Sequence, residues 1–271
     1  EKEITEYNIA GSGTWSNGWY VVKSSVTVTP RITVSGTVNL ILCDGAKLSA
    51  LNGIEVADPN TLNIYAQSKG TGTLYATTPK DDRYYGHATI GGSSNQPCGN
   101  ITINGGIVTA VPSIDDPATG IGGGKNSGGG SITINGGTVT ATGGNFYSGS
   151  YSSQEGGSGI GGGHNGSCGM VTINGGTVIA TASDSGGAAI GGGKKGGGGT
   201  VTINGGTVKL VGGGAFGSTP SGMGIGPGTS GKDGNVTITG GTVISEYTGS
   251  AIKGNAITID GGTVKVQSYN S

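Results

Sequence analysis

The sequence predicts an all-β chain wound as one single-stranded right-handed parallel β-helix of roughly eight to nine coils. Three observations predict it. One unit returns six times, the segments inside it alternate apolar and polar residues, and glycine marks the corners between them. Glycine and proline number 63 and 8 of the 271 residues. Such a fraction without a period reads as low complexity, and with a period as a repeat architecture. Charged residues are only 11% and Val, Ile and Thr abound, which excludes solvating disorder. The net charge of −1 argues against a basic nucleic-acid footprint, and no apolar run reaches membrane-span length. The opening residues EKEITEYN are not a signal peptide, so any leader is expected to have been removed.

Each unit opens on an IGG-type segment, at Ile90, Ile121, Ile160, Ile190, Ile225 and Ile252. A second segment follows, as in NITINGG, SITINGG and MVTINGG, and a third comes straight after it, as in TVTAT and TVIAT. From Ile to the turn residue of the second segment (Asn104, Asn135, Asn174, Asn204 and Thr239) the gap is 14 residues in five units. From that turn to the next Ile the gap varies between 13 and 25. Two corners are therefore fixed and the third accepts insertions. In residues 132–141, Ile132, Ile134, Val139 and Ala141 fall on one side and Thr133 and Thr140 on the other, which is strand periodicity. Glycine density and β-branching exclude helix. Three short strands cannot bury an apolar side alone, so the units must stack, about 4.8 Å per coil.

Stacking turns equivalent positions into ladders. Ile103, Ile134, Ile173, Ile203, Ile238 and Ile259 form one inward row, and Val108, Val139, Val178, Val208, Val243 and Val264 a second. Asn104, Asn135, Asn174 and Asn204 stack at a bend, where left-handed backbone and amide bonds along the axis are expected, with glycine pairs after them supplying positive φ. Residues 20–78 carry the same strand grammar without the IGG signature and read as earlier coils. Residues 1–19, with Trp15 and Trp19, are expected to form an N-terminal cap, with the β-helix running over 20–271. No distinct cap follows Gln267, which suggests a piece of a longer protein. Cys98 and Cys168 share one ladder position two coils apart, too far for a bridge, so both thiols are expected free, as is Cys43.

The alternation of GIGGG with VTINGGTVTA resembles the Gly-rich right-handed β-helix repeats of Gram-positive bacterial cell-surface proteins, which are labelled carbohydrate-binding or adhesin-like. The resemblance covers residues 32–267 as fold and 88–267 as motif. It implies an extracellular, secreted or surface-attached segment whose partner is a glycan or host polysaccharide. It supplies no fixed set of ligand residues. Right-handed β-helices also include pectin-degrading enzymes. The polygalacturonase pattern of an NTD strand, paired Asp, Gly-His-Gly and RIK is not in this sequence. Arg31 and Arg83 are its only arginines, which disfavours a lyase that abstracts a proton with Arg.

The variable corner carries the information. Its inserts span about residues 77–88, 111–119, 142–158, 181–188, 212–223 and 247–250, and all project from one edge. The aromatics between residues 80 and 250 are Tyr84, Tyr85, Phe146, Tyr147, Tyr151, Phe216 and Tyr247, all at these inserts. Sugar rings stack on rigid aromatic faces, and loops on a stiff scaffold are where binding lives. Tyr84, Tyr85, Phe146, Tyr147 and Tyr151 are the candidate stacking residues, with Asp81, Asp82 and Glu155 as polar partners. The alternative is that these aromatics fold back and plug their loops. Asp81, Asp82, Asp115 and Asp116 lie on neighbouring inserts and are candidates to share a Ca²⁺, with Asp115 and Asp116 as its ligands. A carboxylate pair there could instead cleave a glycosidic bond. A solvated acidic rim is the plainer alternative to both. No cofactor is required, and the fragment is expected to be a monomer with no nucleic-acid partner and no membrane span.

The sequence carries two further features. Lys125, His164 and Lys194 stand four residues after their Ile, a modest basic ridge assigned to the corner opposite the inserts, where Lys195 and Lys232 also fall. It reads as solubilising charge or a contact for acidic polysaccharide. The GGGK strings imitate a phosphate loop but lack its Ser or Thr and its helix. An outward row of Thr102, Thr133, Thr172, Thr202, Thr237 and Thr258 keeps an ice-binding solenoid as a minor alternative.

Overall fold

The computed structural model describes residues 3–79, 86–113, 116–146, 154–214, 222–246 and 249–267. It contains strands and turns and, among the described residues, no helix. Among the described residues nine coils stack in parallel register. The sixth is representative: a first strand Ile160–Gly161, a second Met170–Ile173 and a third Thr177–Thr181. Equivalent residues pair coil to coil, as in Ile134 with Ile173 and Ile173 with Ile203. First and second strands merge into a 17-stranded sheet, and the third strands form a 9-stranded one.

The first two coils depart from the later grammar. There the first and second strands run together, as Thr14–Val22 and Ile32–Leu42, because Ser35 and Gly36 replace the Gly-rich turn. Thr14–Val22 pairs in parallel with Ile32–Leu42, so Trp15 and Trp19 stand on the first coil and the expected boundary at residue 19 falls inside a strand. The covering segment is shorter. Asn8–Ile9 pairs along the outer edge of that strand, and Trp15 faces Val34, 2% exposed and stacked on Tyr20 at 5.3 Å. At the other end Ile257 and Ile259 are half exposed, because no described coil stacks on them.

The core follows from the period-2 pattern. Ile132, Ile134, Val139 and Ala141 are fully buried, while Thr133 and Thr140 face outward. Burying each large aliphatic contributes about 1.5–3 kcal/mol, and stacking identical residues lets the same rotamer repeat from coil to coil. Asn135 Nδ2 donates to Asn104 Oδ1 at 2.9 Å, Asn174 to Asn135 at 2.8 Å and Asn204 to Asn174 at 2.8 Å. The expected axial amide ladder is present.

The left-handed backbone lies elsewhere than expected. The Asn104–Asn204 row keeps negative φ. Positive φ at that bend belongs to the second glycine after each Asn, for example Gly137 at 83° and Gly176 at 82°. The left-handed asparagines are Asn95, Asn126 and Asn165, each at 62°, in the turn after the first strand. They form a second amide ladder, Asn126 to Asn95 at 3.0 Å and Asn165 to Asn126 at 2.8 Å. Lys195 and Ser230 continue the row at 67°. Cys43, Cys98 and Cys168 are free, and burial pushes the Cys98 and Cys168 thiols up to about 12.

Candidate functional site: the insert edge

Each insert leaves a third strand and runs into the next first strand, which is only two residues long in most coils. The turn bearing the Lys125–His164–Lys194 row follows at once. The row therefore sits against the inserts, not opposite them, because a two-residue strand is too short to carry the chain to another corner.

Backbone bonds pin the insert bases. The amides of Lys125, Lys194 and Thr229 donate to the carbonyls of Gly86, Gly156 and Gly186 at 2.7, 2.9 and 2.7 Å. In each case the donor lies in the turn one coil beyond the one that the insert enters. Neighbouring inserts also meet side by side. Ser185 N donates to Asn145 Oδ1 at 2.9 Å, and Ser113 Oγ to the carbonyl of Pro79 at 2.9 Å. The edge is thus a row of inserts tied at their feet to a repeating turn.

The 142–158 insert shows how side chains complete this. Asn145–Phe146 pairs antiparallel with Glu155–Gly156. Glu155 reaches back one coil, where Lys125 Nζ donates to both carboxylate oxygens, at 2.7 and 2.5 Å. Gln154 reaches forward, its carbonyl accepting from Lys194 Nζ at 2.9 Å. The insert therefore grips the turns on both sides of His164, which is left 4% exposed with its Nδ1 lacking a hydrogen-bond partner among the described residues. Burial first of all lowers the His164 pKa, to about 4. Glu155 opposes this, while Lys125, Lys195 and Lys194 add to it. Burial and the neighbouring Lys195 also lower the pKa of Lys194, against Glu155.

A pH dependence follows. His164 is neutral in the fold and its folded pKa lies below its unfolded value near 6.5, so the unfolded chain binds the proton first. The stability it protects is present above pH ~6.5 and falls as pH drops towards about 4, by on the order of 2–3 kcal/mol. Thermal unfolding between pH 7 and 4 measures this. His164→Asn, which cannot titrate, is expected to flatten the curve; an unchanged slope would assign the loss to other groups.

The sequence-predicted site residues divide as follows. Asp81, Asp82, Tyr84, Tyr85, Asp115, Tyr147 and Tyr151 lie outside the described residues. Phe146 is half-buried on its short strand, and Glu155 is engaged by Lys125. Asp116 is 1% exposed, so it does not belong to a solvated acidic rim. Among the described residues no three His, Cys, Asp or Glu stand close enough to hold a metal, and no helix is long and apolar enough to cross a membrane. The sequence reading missed that Lys125, His164 and Lys194 belong to this edge. The signal was their constant offset from Ile, directly downstream of the inserts.

A family model described as a beta helix repeat matches residues 101–125, 132–164 and 171–194. Each match runs from a second strand to the ladder residue of the following turn: Lys125, His164 or Lys194. Comparison with curated proteins gives no match, and neither does comparison with solved structures. The repeat matches and the continuous parallel ladders agree that this chain is a β-helix repeat protein.

Proposed function

We propose that the chain is a non-catalytic, extracellular glycan-binding or adhesive segment of a bacterial surface protein, working as a monomer through its insert edge. The carrying observation is the division of labour along that edge. The feet of the inserts are fixed to the turns by backbone bonds, while the segments between them vary in length and carry the aromatic residues. A β-helix fold is compatible with surface binding and with action on polysaccharides. The Gly-rich repeats resemble those of Gram-positive surface proteins, which supports the first. Among the acidic residues of the edge, Glu155 is ion-paired with Lys125 and Asp116 is buried.

A glycan array probed with the purified chain tests the proposal. Binding to a defined set of glycans without turnover is expected. Release of reducing ends that is lost in Asp82→Asn or Asp115→Asn would instead make the edge a polysaccharide-cleaving site. Binding abolished by EDTA would place Ca²⁺ between Asp115, Asp116 and the ligand; binding retained in EDTA assigns it to the aromatics without a metal.

A further inference from the structure

The outward face of coils 1–3 breaks the ladder grammar. In later coils the two outward positions of the second strand are Thr and Asn, as in Thr102 and Asn104. The register carries these positions back through Asn63, Asn39 and Trp19, and through Tyr65, Ile41 and Val21. The scaffold does not require the change, since Thr and Asn serve the same strand in four successive coils. Apolar and aromatic residues thus stand here where later coils carry Thr and Asn.

Trp19, Val21, Ile41 and Tyr65 line a cavity of about 1050 Å³, to which the N-terminal segment contributes Glu3, Ile4 and Tyr7. Trp19 and Tyr65, two coils apart, place their ring centroids 5.4 Å apart with a 41° tilt. Tyr7 forms a further aromatic wall, with the Lys23 ammonium 4.4 Å from its ring centroid and in hydrogen-bond contact with its hydroxyl. Two of the charges present, Lys23 and Asp44, are already engaged. Lys23 is held by Tyr7, and the Asp44 carboxylate accepts from the amides of Lys69 and Thr71 at 3.2 and 3.1 Å. Gln67 spends its carbonyl oxygen on the Asp44 amide at 2.9 Å, which leaves its N–H donors for another partner.

We propose that this cavity is a second binding site, separate from the insert edge, that takes an uncharged oligosaccharide. Ring faces meet the C–H faces of sugar rings, and the Gln67 amide and Glu3 carboxylate meet hydroxyls. Carboxylates and an ammonium share the rim, so no single sign of charge selects the ligand. The volume lies just above the roughly 300–1,000 Å³ of small-ligand clefts, so more than one sugar ring fits. Neither site depends on the other.

The two tryptophans provide the readout. Trp15 is buried with its indole N–H donating to the Gly11 carbonyl at 2.9 Å, so its NMR resonance serves as an internal reference for that of Trp19. The full chain is titrated with cellotetraose, maltotetraose, mannotetraose and xylotetraose, and with tetragalacturonate as the acidic comparison. At least one neutral tetrasaccharide is expected to shift the Trp19 indole peak and leave that of Trp15 in place. Tyr65→Ala is expected to weaken that binding about tenfold, and Tyr7→Phe, which keeps the ring, to preserve it. The variant lacking Tyr84, Tyr85, Tyr147 and Tyr151 is expected to bind at this cavity as the parent does, which separates failure of this site from failure of the insert edge. No Trp19 shift with any neutral tetrasaccharide at about 10 mM would overturn the proposal, as would a response to tetragalacturonate alone or unchanged affinity in Tyr65→Ala.

Discussion

Gly161→Ala is expected to cost on the order of 4 kcal/mol or more, and to split the thermal unfolding of the chain into two transitions. Gly161 sits in the first strand of coil 6 at φ 132°, and a Cβ there would stand 2.0 Å from the carbonyl oxygen of Gly191 in the next coil. Backbone cannot yield as a flexible side chain would. The same contact recurs at Gly91, Gly122 and Gly191, at 1.8–1.9 Å, so this glycine row sets how closely the coils approach along the first strand. A solenoid is stabilised by nearest-neighbour interfaces, and a weakened interface in its middle uncouples the coils on either side. Gly128→Ala is the control, because its Cβ would meet the Ser167 carbonyl oxygen at an ordinary 3.7 Å. That variant is expected to stay within about 1 kcal/mol of the parent. Scanning calorimetry of both measures the difference. Equal melting would mean that the first strands do not set the stacking distance.

The scaffold was legible in the sequence for a physical reason. Stacking demands the same inward side chain in every coil, so the Ile173 and Val178 rows repeat as letters before any coordinates are known. Asn174 was legible too, because an axial amide ladder needs Asn above Asn. Backbone conformation was less so. Both asparagine rows look alike in sequence, yet only the Asn95–Asn126–Asn165 row takes positive φ, because the other bend leaves that conformation to glycine. The second row also ends early, at Lys195 and Ser230, which disguises it as a ladder.

Contacts of the inserts were not legible. Their lengths vary, so no register links Glu155 to Lys125 or Gln154 to Lys194, and His164 between them reads as one more exposed cation. The Trp19–Tyr65 pair was hidden for the same reason. It bridges two coils of unequal length, in the region where the repeat signature is absent. The first coil beginning at Thr14 was concealed by the missing Gly-rich turn, which left the tryptophans looking like part of a cap.

The central claim is that a rigid ladder displays its binding residues on the insert edge. Rigid aromatic faces concentrate binding energy, and truncation of one stacking ring costs on the order of 1–2 kcal/mol. Tyr84, Tyr85, Tyr147 and Tyr151 belong to inserts two coils apart, at about 10 Å, a spacing suited to successive residues of an extended glycan. Their joint replacement by alanine is expected to remove binding at the edge by a factor of roughly a hundred or more, with the melting temperature held, because the described ladders and insert feet are held by bonds between other residues. The direct measurement is the affinity of this fourfold variant, against the parent, for a glycan selected on the array, with calorimetry on the same samples. Loss of binding at an unchanged melting temperature is the predicted result. Undiminished binding, or binding lost only with Thr133→Leu and Thr172→Leu on the flat sheet, would contradict the account.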